Sequence, residues 1–104
     1  MLIVTTETIP GRCYEVLGIA KGSVVQSKNF GKDFMSAMKT LVGGEITAYT
    51  EMLDEARQIA SGRMAAQAEA MGADAIVCMR YASSSVMQGA AECIAYGTAV
   101  RFTD

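Results

Sequence analysis

Apolar residues recur at Ile46, Tyr49, Leu53, Ala56, Ala60, Met64, Ala68 and Met71, between the glycines at 43 and 72. Steps of three and four place them on one stripe of an α-helix. Asp54, Glu55, Gln58, Ser61 and Glu69 fall mostly off that stripe. A helix from Gly43 to Gly72 would be about 40 Å long at ~1.5 Å per residue. A compact chain of about 100 residues has a radius of gyration near 13 Å, so the segment outruns its own domain. A second apolar set, Ala48, Met52, Ile59, Ala66 and Ala70, widens the stripe. One small protomer can hardly cover both sets, and the pattern therefore predicts a partner subunit.

The remaining chain reads mostly as strands. Leu2-Ile-Val-Thr is a short strand candidate, followed by a turn at Pro10-Gly11. Cys13 to Ser27 is expected to form a long strand, with Gly18 and Gly22 marking a bulge, a bend or a close backbone approach. Asn29 can cap a first helix from Phe30 to Val42, which Gly43-Gly44 would stop. After the long helix, Ala75 to Ala82 is a nearly unbroken apolar run, as in a strand covered on both faces. Ser83 to Gly89 reads as a polar loop, and Ala91 to Thr103 as a returning strand. That last strand has a small face, Cys93, Ala95, Gly97 and Ala99, and a bulky one, Ile94, Tyr96, Val100 and Phe102. Small side chains let a helix or a neighbouring strand come close. The expected fold is α+β, with order β-β-α-α-β-β, or β-α-β-β without the short first strand. The strands flanking the helices would be parallel neighbours joined by a right-handed crossover, and the last two an antiparallel hairpin.

Composition narrows the function classes. The chain of 104 residues is 51% hydrophobic and 19% charged, with net charge −2. It is sized for one domain spanning 1–104. The apolar balance again points to surface buried between subunits. No basic cluster suggests nucleic acid, and no run approaches the ~20 apolar residues that cross a bilayer. The start, Met1-Leu-Ile-Val-Thr-Thr-Glu, lacks a signal-peptide pattern, so a cytoplasmic protein is expected. Three cysteines without a CxxC spacing read as free thiols. With no histidine, the commonest general base and transition-metal ligand is missing, and Ser-His-Asp or Cys-His catalysis is excluded.

Four groups of residues carry possible chemistry. A hairpin turning near Ser85 and Val86 would set Cys78 opposite Cys93, and opposed Cβ atoms lie about 4.5–5.5 Å apart. Two thiolates at that distance suit a soft ion such as Cu(I) or Zn(II), with further ligands from neighbouring subunits. The plainer reading, and the one favoured because no other soft ligand is fixed nearby in sequence, is two buried, hydrophobe-like thiols. Met35, Met38, Met52, Met64, Met71, Met79 and Met87 read mainly as core or interface filler rather than a copper site. Gly43, Gly44, Glu45 and Tyr49 mark a helix start that could receive a ligand or be a plain helix–helix corner, and Glu45 disfavours an anion there. Tyr49 and Met52, with the small strand face, would line pockets at subunit junctions. Glu51, Asp54 and Glu55 share a helical turn and read as a solvated face, with Asp54 placed to pair with Arg57.

Several segments resemble the YbjQ-like family of small bacterial and archaeal proteins, which carries a heavy-metal-binding label. They are Thr5-Thr6, Phe30-Gly-Lys-Asp-Phe, Val42-Gly-Gly-Glu-Ile-Thr-Ala-Tyr, Ala56-Arg57, Met71-Gly-Ala-Asp-Ala and Tyr96-Gly-Thr-Ala-Val. Together they span essentially the whole chain. The resemblance implies a β-α-β-β protomer, with one long helix on a small mixed sheet like a dodecin subunit, assembled into a homopentameric ring. It also implies a heavy-metal ion as ligand and no enzymatic reaction. Glu45 stands where many members carry arginine, which reverses the charge at that helix start. The sequence thus leads to a homo-oligomeric binding protein for a heavy-metal ion. A small-molecule binder and a purely structural oligomer are its rivals.

Overall fold

A computed structural model of the chain describes residues 1–26, 47–87 and 90–104. The expected first helix over Phe30–Val42 lies outside the described residues, as do Gly43, Gly44 and Glu45. Five elements are described: β1 (Leu2–Ile3), β2 (Tyr14–Gln26), α1 (Thr47–Ala70), β3 (Ala75–Met87) and β4 (Ala90–Phe102). They build an α+β fold with one long helix packed on a four-stranded mixed sheet, in the order β1-β3-β4-β2. β1 runs parallel to β3, whereas β3–β4 and β4–β2 are antiparallel.

The strand order corrects one expectation. β2 and β3 flank the helix in sequence but are not neighbours, because β4 is inserted between them. β1 is the parallel neighbour of β3 instead, pairing Leu2 with Ala75 and Ile3 with Ile76. The hairpin of β3 and β4 forms as expected, but its arms are longer. Ser83–Met87, expected as loop, continues β3. Ser83 and Ser84 are exposed, so their polarity reports a surface strand rather than the absence of one.

Burial follows the helical stripe. Ala56, Ala60, Met64 and Ala68 are buried, while Ile59, Ala66 and Ala70 remain exposed. The small face of β4 lies beneath them: Ala95 and Ala99 are fully buried, with Cys93 packed at the margin. Contact is closest at two glycines. A Cβ on Gly22 would stand 2.4 Å from the Ala60 carbonyl oxygen, so α1 rests directly on the β2 backbone. A Cβ on Gly97 would stand 2.6 Å from Ile76 Cγ2. Gly97 faces a bulge where Cys78 and Met79 together oppose one residue of β4. Cys78 takes φ 57 there, in the left-handed region, and its amide donates to the Thr6 carbonyl at 3.0 Å.

α1 ends in a Schellman motif. Gly72, at φ 84, donates its amide to the Glu69 carbonyl at 3.0 Å, and the Ala73 amide donates to the Ala68 carbonyl at 3.0 Å. Asp74 then ties the chain to β4. Its amide donates to the Val100 carbonyl at 2.8 Å, and its carboxylate accepts from the Phe102 amide at 2.9 Å. The Gly-Ala-Asp-Ala segment therefore has a structural role: it stops the helix, turns the chain and docks β3 against β4.

A second, smaller cluster lies on the sheet face away from α1. Ala75, Val77 and Val100 are covered there by Val4, Ile9, Tyr14, Cys78 and Phe102. Among the described residues, the N-terminal segment thus covers one end of that face and not the other.

Candidate functional site

The two candidate metal ligands do not meet within one copy. β4 pairs Cys93 with Ser83 on β3 and with Val24 on β2. Cys78 sits in the bulge opposite Gly97, four residues further along β4, which is about 14 Å at ~3.4 Å per residue. The faces differ as well. Cys93 packs with the helix-side core and Cys78 with the cluster on the other side. The expected opposition fails because β3 runs through Ser85 and Val86 instead of turning there, and the bulge shifts the register again. All three cysteines are free, and Cys13 is exposed. Among the described residues no three His, Cys, Asp or Glu side chains group as a metal site. Within one copy, then, the described donors do not fit a heavy-metal ion.

The other candidates separate in the same way. Met64 and Met79 are buried and Met71 packs against them, as core filler. Met35 and Met38 lie outside the described residues, as do the side chains of Met52 and Met87. The Gly43, Gly44, Glu45, Tyr49 and Met52 constellation cannot be assembled either, because its glycines, Glu45 and the side chains of Tyr49 and Met52 are likewise outside them. Glu51, Asp54 and Glu55 are exposed, and Asp54 accepts a hydrogen bond from Arg57 at 2.9 Å, as a solvated helix face should.

Two polar arrangements escaped the sequence reading. On α1, Gln67 Oε1 accepts the Lys21 amide at 2.6 Å, and Arg63 donates to the Ser23 carbonyl at 2.5 Å. These side chains, one helical turn apart, cap the outer edge of β2. Their placement beside Met64 on the apolar stripe was the available signal. At the other end, Arg12 lies 3.7 Å over the Phe102 ring and donates to Asp104 at 3.1 Å. Asp104 also accepts the Cys13 amide at 3.2 Å. Partial desolvation raises the Asp104 pKa, but these hydrogen bonds and the Arg12 charge outweigh it and hold the carboxyl below its ordinary 3.8.

Part of the sheet face away from α1 carries exposed apolar side chains. Ile19 is 73% exposed, Val16 65%, Val25 54% and Tyr96 40%. In register they surround Thr98, Lys21 and Ser23 on that face. No helix among the described residues is long and apolar enough to cross a membrane.

Comparison with known proteins places the chain. The YbjQ family model, described as "Putative heavy-metal-binding", matches residues 1–103. A UPF0145 protein of Clostridium perfringens is 61% identical over 105 residues, covering 100% of this chain and 99% of its own. Those of Clostridium novyi and Thermotoga maritima are 56% and 58% identical, covering 97% of this chain and 98% and 96% of their own. Among solved structures, a protein of unknown function from Pediococcus pentosaceus, assigned to the DUF74 family, aligns with TM-score 0.68 at 15% identity. The alignment covers 99% of this chain and 98% of that one, and it supports the fold alone. The chain therefore belongs to the YbjQ-like family of UPF0145 proteins, which the sequence motifs had indicated.

Proposed function

We propose that the protein is a non-enzymatic, homo-oligomeric cytoplasmic binding protein whose ligand site lies between copies, in a ring of five on the family resemblance. The carrying observation is the open sheet face, where Val16, Ile19, Val25 and Tyr96 stand exposed together. Several large apolar side chains exposed on one sheet face are a candidate interaction surface. The radius of gyration, 17.0 Å, against about 13 Å for a compact chain of this length, supports the same reading.

Among the described residues Cys78 and Cys93 occupy opposite faces of the sheet, so a heavy-metal site built on this pair would draw its ligands from more than one copy. Equivalent thiols of neighbouring copies would bring together donors that one copy keeps apart, and soft thiolates suit Zn(II) or Cu(I). Native mass spectrometry of protein loaded with Zn and Cu and then gel-filtered tests this. The expected result is an oligomer carrying fewer ions than chains, with the ions lost from Cys78→Ser or Cys93→Ser protein. One tightly held ion per isolated chain contradicts the shared site. An oligomer that retains no ion removes the metal and leaves a small-molecule pocket or a structural role.

A further inference from the structure

We propose that residues 7–12 form a strap that gates the Cys78 thiol, with Arg12 as its latch. The inference rests on the reading of Cys78 as a shared thiol ligand and adds how access to it is controlled.

The strap crosses the sheet face away from α1. It leaves β3 at Thr6, whose carbonyl accepts the Cys78 amide at 3.0 Å. It ends at Arg12, just before β2 begins at Tyr14. On the way Ile9 packs against the cluster of Ala75, Val77 and Val100. Ala75 and Val100 are fully buried and Val77 nearly so. Cys78 packs against the same cluster and is half-buried. Val77 and Cys78 are successive residues, yet both reach this face, because the bulge breaks the alternation of the strand. Thiol and strap therefore share one apolar contact surface, and lifting Ile9 opens it.

The two ends of the strap are held differently. The chain before it is sewn to β3 through the main chain. The Val4 amide donates to the Ile76 carbonyl at 2.9 Å, and the Met79 amide to the Val4 carbonyl at 3.1 Å. Arg80 adds a bond to the Thr5 carbonyl at 3.0 Å. The far end is held by a side chain. Arg12 stacks 3.7 Å over the Phe102 ring and pairs with Asp104 at 3.1 Å, the two charged side chains being 42% and 33% exposed. Between the ends, Ile9 and a hydrogen bond from the Tyr14 hydroxyl to the Glu7 carbonyl attach the strap to the sheet. Glu7, Thr8, Pro10 and Gly11 are exposed.

A segment with few buried contacts and a surface ion pair opens more readily than the strands beneath it. Latch and cover move together. The Arg12 amide donates to the Ile9 carbonyl at 3.1 Å, closing a turn over Pro10 and Gly11, and Gly11 takes φ 78 there. Releasing Arg12 from Phe102 and Asp104 thus frees the turn that seats Ile9. Closed, the strap shields the thiol; open, it offers the thiol to a soft ion.

Maleimide labelling of Cys78 tests the strap, in the full chain carrying Cys13→Ser and Cys93→Ser, at a concentration that leaves the assembly mass unchanged. Arg12→Ala should label about fivefold faster, the combined worth of an exposed ion pair and an exposed guanidinium–ring stack. Added salt should speed labelling of the chain that keeps Arg12, by screening the latch, and leave Arg12→Ala unmoved. Cys93, followed in a Cys13→Ser, Cys78→Ser chain, should respond to neither, since it packs on the helix side of the sheet. An unchanged Cys78 rate in Arg12→Ala overturns the gate. A parallel rise at Cys93 also overturns it, because it reports a general loosening of the fold. If Arg12→Ala does not fold, the chain that keeps Arg12 decides, and a Cys78 rate indifferent to salt overturns the gate. Labelling involves no metal, so the strap can fail while the shared-thiol reading stands. An oligomer that retains no ion removes that reading and leaves the strap.

Discussion

Gly22 lies against Met64 so closely that a Cβ added to the glycine would stand 2.3 Å from the Met64 backbone nitrogen. The neighbouring atoms are helix backbone, which cannot swing aside as a flexible side chain would. Gly22→Ala must therefore lift α1 off β2, and overpacking of this severity costs about 3 kcal/mol. Gly62, in the same helix, has nothing within 4 Å of its would-be Cβ. Gly62→Ala should stabilise by about 0.5–1 kcal/mol, through helix propensity. Urea unfolding of both variants checks the pair, with opposite shifts in midpoint expected.

Asp104 gives a pH dependence of known sign. Its folded-state pKa is lowered, so its contribution is fully present above the ordinary value of 3.8. It is lost as pH falls from there through the lower folded-state value. Asp104→Asn should be less stable than wild type at neutral pH, and the gap should close in that acidic window. Thermal melts of both proteins across it provide the measurement. A gap that widens on acidification contradicts the Arg12 and Cys13 contacts as its source.

The cysteine geometry predicts a negative result under oxidation. A disulfide needs Cα atoms within about 7 Å. Cys78 and Cys93 occupy opposite sheet faces, four residues apart along β4. Mild oxidation followed by peptide mapping should recover no Cys78–Cys93 bond within a chain. Recovery of that bond would show that the hairpin register is other than Cys93 with Ser83.

Legibility in the sequence tracks the range of each constraint. The stripe of Ala56, Ala60, Met64 and Ala68 is local and periodic, and so is the small face of β4. Both were readable, and they meet where Gly22 and Gly97 allow close packing. The strand order was not readable, because nothing in Leu2-Ile3 says that it will pair with Ala75-Ile76. The hairpin register was misread because Ser83-Ser84-Ser85 has loop composition, and because a bulge leaves no local signature at Cys78. That one misreading set Cys78 opposite Cys93. The Gly43 to Met52 constellation remains a reading of the sequence, since its side chains lie outside the described residues.

Sedimentation equilibrium, run from micromolar protein downward, tests the association of identical chains most directly. The expected result is a mass that is a whole multiple of 11.0 kDa, five on the family resemblance, falling only on strong dilution. A well-folded species of 11.0 kDa at micromolar concentration would contradict it.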